Sequence, residues 1–76
     1  MQLPVLGARI RAGANARVLA LDPPNRWGNV RCIVAADDGR LGWIMYYAAG
    51  TRSNINFFPP EKAAEVRGRL ETSAGE

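Results

Sequence analysis

The sequence has no histidine, and its 76 residues include one cysteine, one lysine and two each of Trp, Tyr and Phe. Without histidine the commonest general base is missing, and no Ser–His or Cys–His pair can form. A single cysteine, Cys32, excludes an intramolecular disulfide, and beside scattered carboxylates it gives no zinc-ligand spacing. Nor is there a glycine-rich phosphate loop of Walker or dinucleotide spacing. Asp22, Asp37, Asp38, Glu61 and Glu65 are spread along the chain, and turn chemistry accounts for the Asp37–Asp38 pair without a metal. A protein without catalysis and without a cofactor is expected. No apolar run reaches the roughly 18–20 residues of a membrane span. The start, MQLPVLGARIRAG, lacks the basic residues and long apolar stretch of a signal peptide. With the lone unpaired cysteine, these absences predict a cytoplasmic protein that has no membrane partner.

What is present describes a small folded chain. An apolar fraction of 47 % with 22 % charged residues argues against disorder. Residues 1–76 make one domain, and a chain this short buries only about 60 % of its unfolded surface. Its stability then comes from a well-packed small β fold or from self-association, as in a homodimer. The net charge is +3, carried by nine arginines and one lysine. Arginine dominance has a bland source in codon composition and a functional one in bidentate recognition of phosphate or carboxylate. A pI near 9.8 permits a nucleic-acid partner without demanding one.

Along the chain, Arg9 and Arg11 alternate with Ala8, Ile10 and Ala12 as in a strand, and Gly7 and Gly13 interrupt any long helix. After the turn-like AGAN, ARVLALD suits a strand with both faces covered, a helix over 14–21 being the alternative. DPPNRWGN, rich in Pro, Asn and Gly, is a loop. INFF fits a short last strand, with Ile55 and Phe57 pointing one way and Asn56 and Phe58 the other. PPEKAAEVRGRLE reads as a helix, with proline in its first turn, Glu61 at the positive end, and Arg67 and Arg69 at the far end. Ala63, Val66 and Leu70 form a narrow apolar stripe suited to packing on the sheet. Gly68 weakens the last turn by about 1 kcal/mol.

The clearest unit is NVRCIVAADDGRLGWIMYY, a strand, a turn and a second strand. Asp38–Gly39 is a favoured pair for a type I′ turn, in which both central residues take positive φ. With those two as the loop, Val34 faces Trp43, Cys32 faces Met45 and Val30 faces Tyr47 on one apolar side. Ile33 with Ile44, and Arg31 with Tyr46, then occupy the other. This register predicts Trp43, Tyr47 and Cys32 in the core, and Tyr46 beside Arg31 outside it.

Residues 12–49 carry a further pattern: Gly13 in a turn, a strand over 18–21, Trp27 in a loop, Val30, Gly39 in a tight turn, then Gly42-Trp43-Ile44 and the aromatics Tyr46 and Tyr47. The stretch resembles a bacterial SH3-type domain. The family's first strand is matched only by ARIRAG, and nothing from Gly50 onward aligns. The resemblance implies a mainly β fold: a small SH3-like barrel of about five strands over about 5–58. A C-terminal α-helix over about 60–71 and a tail over 72–76 complete the expectation.

Barrels of this kind commonly bind peptides between loops through aromatics with a polar handle. The expected role is a non-catalytic binding module for a protein or peptide, with Trp27, Arg26, Arg31, Tyr46 and Tyr47 as the contact residues. Trp27 either meets a partner or lids an open end of the barrel. Trp27→Ala and Tyr46→Ala are expected to abolish capture without lowering the melting temperature. The alternative is DNA or RNA binding, with Arg9, Arg11, Arg17, Arg26, Arg31 and Arg40 supplying charge and Arg31 beside Tyr46 a stacking site.

Overall fold

Short apolar runs between turn residues form strands, and the computed structural model, which describes residues 3–74, has five of them. They are β1 (Arg9–Arg11), β2 (Asn15–Leu21), β3 (Val30–Ala36), β4 (Leu41–Tyr46) and β5 (Asn56–Phe57), followed by one helix, α1 (Pro60–Ala74). All pair antiparallel with their chain neighbours in a single sheet of order β1-β2-β3-β4-β5. The segment from Asn15 to Leu21 is therefore a strand, and the helical alternative for it does not occur. Its first half is covered on one face only: Ala16 and Val18 are buried while Arg17 and Leu19 are exposed. At Leu19 the register with β3 shifts, so Leu19 is the extra residue of a bulge.

The β3–β4 hairpin forms, but its register is one residue away from the sequence expectation. Val30 is opposite Tyr46, Cys32 opposite Ile44 and Val34 opposite Gly42, while Arg31 is opposite Met45 and Ile33 opposite Trp43. The turn carries the difference. Gly39 has φ +91°, but no non-glycine residue among those described has positive φ, which rules out a type I′ turn at Asp38–Gly39. Instead the Gly39 N–H donates to the Ala36 carbonyl and the Ala36 N–H to the Arg40 carbonyl, each at 2.9 Å. Three residues form the loop, with glycine alone in the left-handed region. Asp38 supports it: Oδ1 accepts the Arg40 N–H at 3.0 Å and Oδ2 accepts Arg40 Nε at 2.6 Å. These bonds hold the Asp38 carboxyl below its usual range, the backbone donor having the larger effect.

A slip of one residue turns every β4 side chain to the opposite face. Ile44 and Tyr46, not Trp43 and Tyr47, enter the main core, which also holds Ala12, Ala16, Val18, Val30, Cys32 and Val34. Trp43 lies on the other face, in a second cluster of Ile33, Leu41 and Val66 with Ala63, Phe58 and Leu70. Helix α1 covers that face with the expected stripe of Ala63, Val66 and Leu70. The helix is longer than expected, continuing to Ala74 through residues expected as tail, and residues 75–76 lie outside the described region. Arg67 and Arg69 accordingly sit mid-helix rather than in its last turn.

A flat five-stranded sheet would hold its outer strands roughly 19 Å apart. Here the Ile55 N–H, just before β5, donates to the Ala12 carbonyl, just after β1, at 2.9 Å. Arg52 Nη2 adds a bond to the Arg11 carbonyl at 2.7 Å. The sheet is thus curled round its main core, yet β1 and β5 share no ladder and it is not closed into a barrel. No helix among the described residues is long and apolar enough to cross a membrane.

Candidate binding surface

In an antiparallel meander the β2–β3 and β4–β5 connections emerge at the same end of the sheet. The first, residues 22–29, is organised by one asparagine. Asn25 Oδ1 accepts the Trp27 and Asn29 N–H groups, each at 3.0 Å. Backbone bonds of 2.9 Å from Asn25 N–H to Asn29 O and from Gly28 N–H to Asn25 O close the loop. At its base Arg31 Nε donates to Asp22 Oδ2 at 2.7 Å, and the Asp22 N–H donates to the Arg31 carbonyl. The loop is therefore defined by its own hydrogen bonds, although little of it is buried.

The two connections touch. Asn29 Oδ1 accepts the Ala48 N–H at 2.9 Å, and a Cβ on Gly28 would lie 3.4 Å from that of Ala48. Trp27 precedes Gly28 and Tyr47 precedes Ala48, so the two rings stand on adjoining loops. Trp27 is 67 % exposed, which settles its position: it projects into solvent and lids nothing. The Arg26 guanidinium stacks on it, 4.6 Å from the ring centroid. Tyr47, expected inside, is 39 % exposed.

Two expected contact residues lie elsewhere. Tyr46 is 6 % exposed within the main core, with its hydroxyl 3.4 Å from Arg52 Nη1. Its ring is a structural element, and the expectation that Tyr46→Ala spares stability is reversed. Arg31 is half-buried on the α1 face of the sheet, beside a cleft of about 210 Å³ floored by Ile33, Val66 and Leu70. Since Arg31 and Tyr46 occupy opposite faces, the stacking pair imagined for nucleic acid does not form. Of the residues expected to meet a partner, Trp27, Arg26 and Tyr47 are the exposed ones.

Ion pairing decides how the arginine charge is spent. Arg9 binds both carboxylate oxygens of Asp37 at 2.9 and 3.0 Å, Arg31 pairs with Asp22, and Arg40 pairs with Asp38. Half of the six arginines suggested for phosphate contact thus already face a carboxylate. The signal for this role of Asn25 is its spacing: an Asn two residues before the loop Trp is placed for its side chain to accept the i+2 N–H. The two loops present an indole, a phenol and a guanidinium to solvent. No family model, curated protein or solved structure matches this chain, so no relative's function bears on the site.

Proposed function

We propose that this protein is a non-catalytic protein-binding module of SH3-like type, which engages its partner through Trp27, Arg26 and Tyr47. The observation that carries the reading is Trp27, 67 % exposed on a loop whose hydrogen bonds fix it before any partner arrives. Large apolar rings are normally buried, and one held in water by a defined loop gains most when a partner covers it. Trp, Tyr and Arg are also the residues that dominate interface energetics. A loop already ordered loses little entropy on binding. The curled five-stranded antiparallel sheet and the placement of Trp27 and Tyr47 on two adjoining loops support the SH3-like part of the reading. The ion pairs of Arg9 and Arg31 favour a protein over a nucleic acid as partner.

The test is a peptide-display selection on the immobilised protein, with Trp27→Ala as the counter-target. Selected peptides should lose about 30-fold or more in affinity on Trp27→Ala, the loss expected of a central aromatic anchor. The unfolding free energy should change by no more than the ~0.5 kcal/mol typical of surface changes. Peptides that bind Trp27→Ala equally well would refute the surface. Steeply salt-dependent retention on a random DNA duplex at ~50 mM salt, with no peptide selected, would move the reading to nucleic acid.

A further inference from the structure

At the opposite end of the sheet another exposed ring is already engaged by a cation. Phe57 in β5 is 36 % exposed, and the Arg40 guanidinium lies over it, 3.9 Å from the ring centroid. Beside them an open groove of about 400 Å³ separates the β3–β4 turn and β5 from the first turns of α1. Leu41, Phe57, Phe58 and Ala63 give it apolar walls, and Arg40 and Arg67 stand at its margin. Its volume falls in the range of roughly 300–1,000 Å³ common to ligand sites.

The two guanidiniums have different circumstances. Asp38 holds Arg40 through Nε, which orients the group and leaves its terminal nitrogens without an acceptor among the described residues. Arg67 has no ion pair or hydrogen-bond partner among them. Asp38 offsets the charge of Arg40, no carboxylate lines the groove, and the surplus is the single positive charge of Arg67. An apolar recess with one uncompensated guanidinium and a second, fixed one matches a singly charged planar anion attached to a hydrocarbon group.

We propose that this groove receives the C-terminal residue of a partner peptide, its apolar side chain against Phe57 and Phe58 and its free carboxylate between Arg40 and Arg67. The open side of the groove gives the preceding residues a way out to solvent. The site is at the far end of the sheet from Trp27 and does not depend on the reading given to that loop.

The experiment is amide chemical-shift titration of the folded protein with three probes: the peptide Gly-Ser-Gly-Leu with a free C-terminus, the same peptide amidated, and 4-methylpentanoic acid. The free-carboxylate peptide should shift the amides of Leu41, Phe58 and Ala63 saturably. The amidated peptide should bind roughly tenfold more weakly or worse, the worth of one charge-assisted hydrogen bond. Arg67→Gln, an exposed change, should abolish that preference while keeping the spectrum of the folded chain, and Trp27→Ala should leave it intact. Equal binding of the amidated peptide, absence of saturable shifts, or a preference that survives Arg67→Gln overturns the proposal. Binding of 4-methylpentanoic acid as tight as the peptide's overturns the peptide as occupant.

Discussion

Gly42 and Gly68 should respond to the same substitution with opposite signs. Gly42 is opposite Phe57 in the β4–β5 pairing, and a Cβ there would lie 2.6 Å from Ile55 Cγ2 and 2.9 Å from the Asn56 carbonyl oxygen. Carbon atoms in contact sit at about 3.5–4.0 Å, so residues 55–56 would have to retreat by about 1 Å. That segment is tethered through the Ile55 N–H to the Ala12 carbonyl, the link between the two edges of the sheet. Overpacking of this kind costs about 1–3 kcal/mol, and a strained or lost hydrogen bond adds about 1 kcal/mol. A chain of this length has a total stability on the order of 4–11 kcal/mol. Taking about 2 kcal/mol as the central value, Gly42→Ala should lower Tm by roughly 8–16 °C. A Cβ on Gly68 meets nothing within 4 Å, so Gly68→Ala removes a mid-helix glycine without a clash. It should raise stability by about 0.5–1 kcal/mol. Thermal and urea unfolding of both variants, followed by far-UV circular dichroism, read the two signs directly. A Gly42→Ala protein melting within ~2 °C of wild type would mean that residues 55–57 do not lie against β4, and the curled sheet would be wrong.

The two adjacent tyrosines should separate in the same assay: Tyr46→Ala, in the main core, should cost about 3–5 kcal/mol, whereas Tyr47→Ala should stay within ~0.5 kcal/mol. The reverse order would restore the register with Tyr47 inside. Burial, with a smaller contribution from the Asp22 charge, pushes the Cys32 thiol up from 9.0 to about 11. The neutral thiol is therefore favoured in the folded state, and the stability it contributes is complete below the unfolded pKa and lost as pH rises from about 9 to 11. The loss amounts to about 2–3 kcal/mol at most. Cys32→Ala should flatten that limb of the stability–pH curve, and the wild-type thiol should react with a disulfide reagent only as the chain unfolds. Rapid labelling of the folded protein at pH 8 would refute its burial.

Local chemistry alone determined much of this protein. Short apolar runs bounded by turn residues defined the strands, Pro, Asn and Gly defined the β2–β3 loop, and the spacing of Ala63, Val66 and Leu70 defined the face of α1 that packs, because each signal is contained within a few neighbouring residues. The β3–β4 hairpin was legible for the same reason. Its register was not, because Asp-Gly serves a two-residue and a three-residue loop alike. Both β4 faces offer apolar residues, Trp43 and Met45 on one and Ile44 and Tyr46 on the other, so hydrophobic pattern could not arbitrate. Only the tertiary structure decided between them: Gly42 lets residues 55–56 approach on the side that Ile44 and Tyr46 share, and α1 covers the side of Trp43. The candidate surface divided along the same line. Trp27 and Arg26 were visible because their loop composition excludes a strand interior, while the fates of Tyr46, Tyr47 and Arg31 depended on which way a strand faced, a property fixed by contacts between residues far apart in the chain.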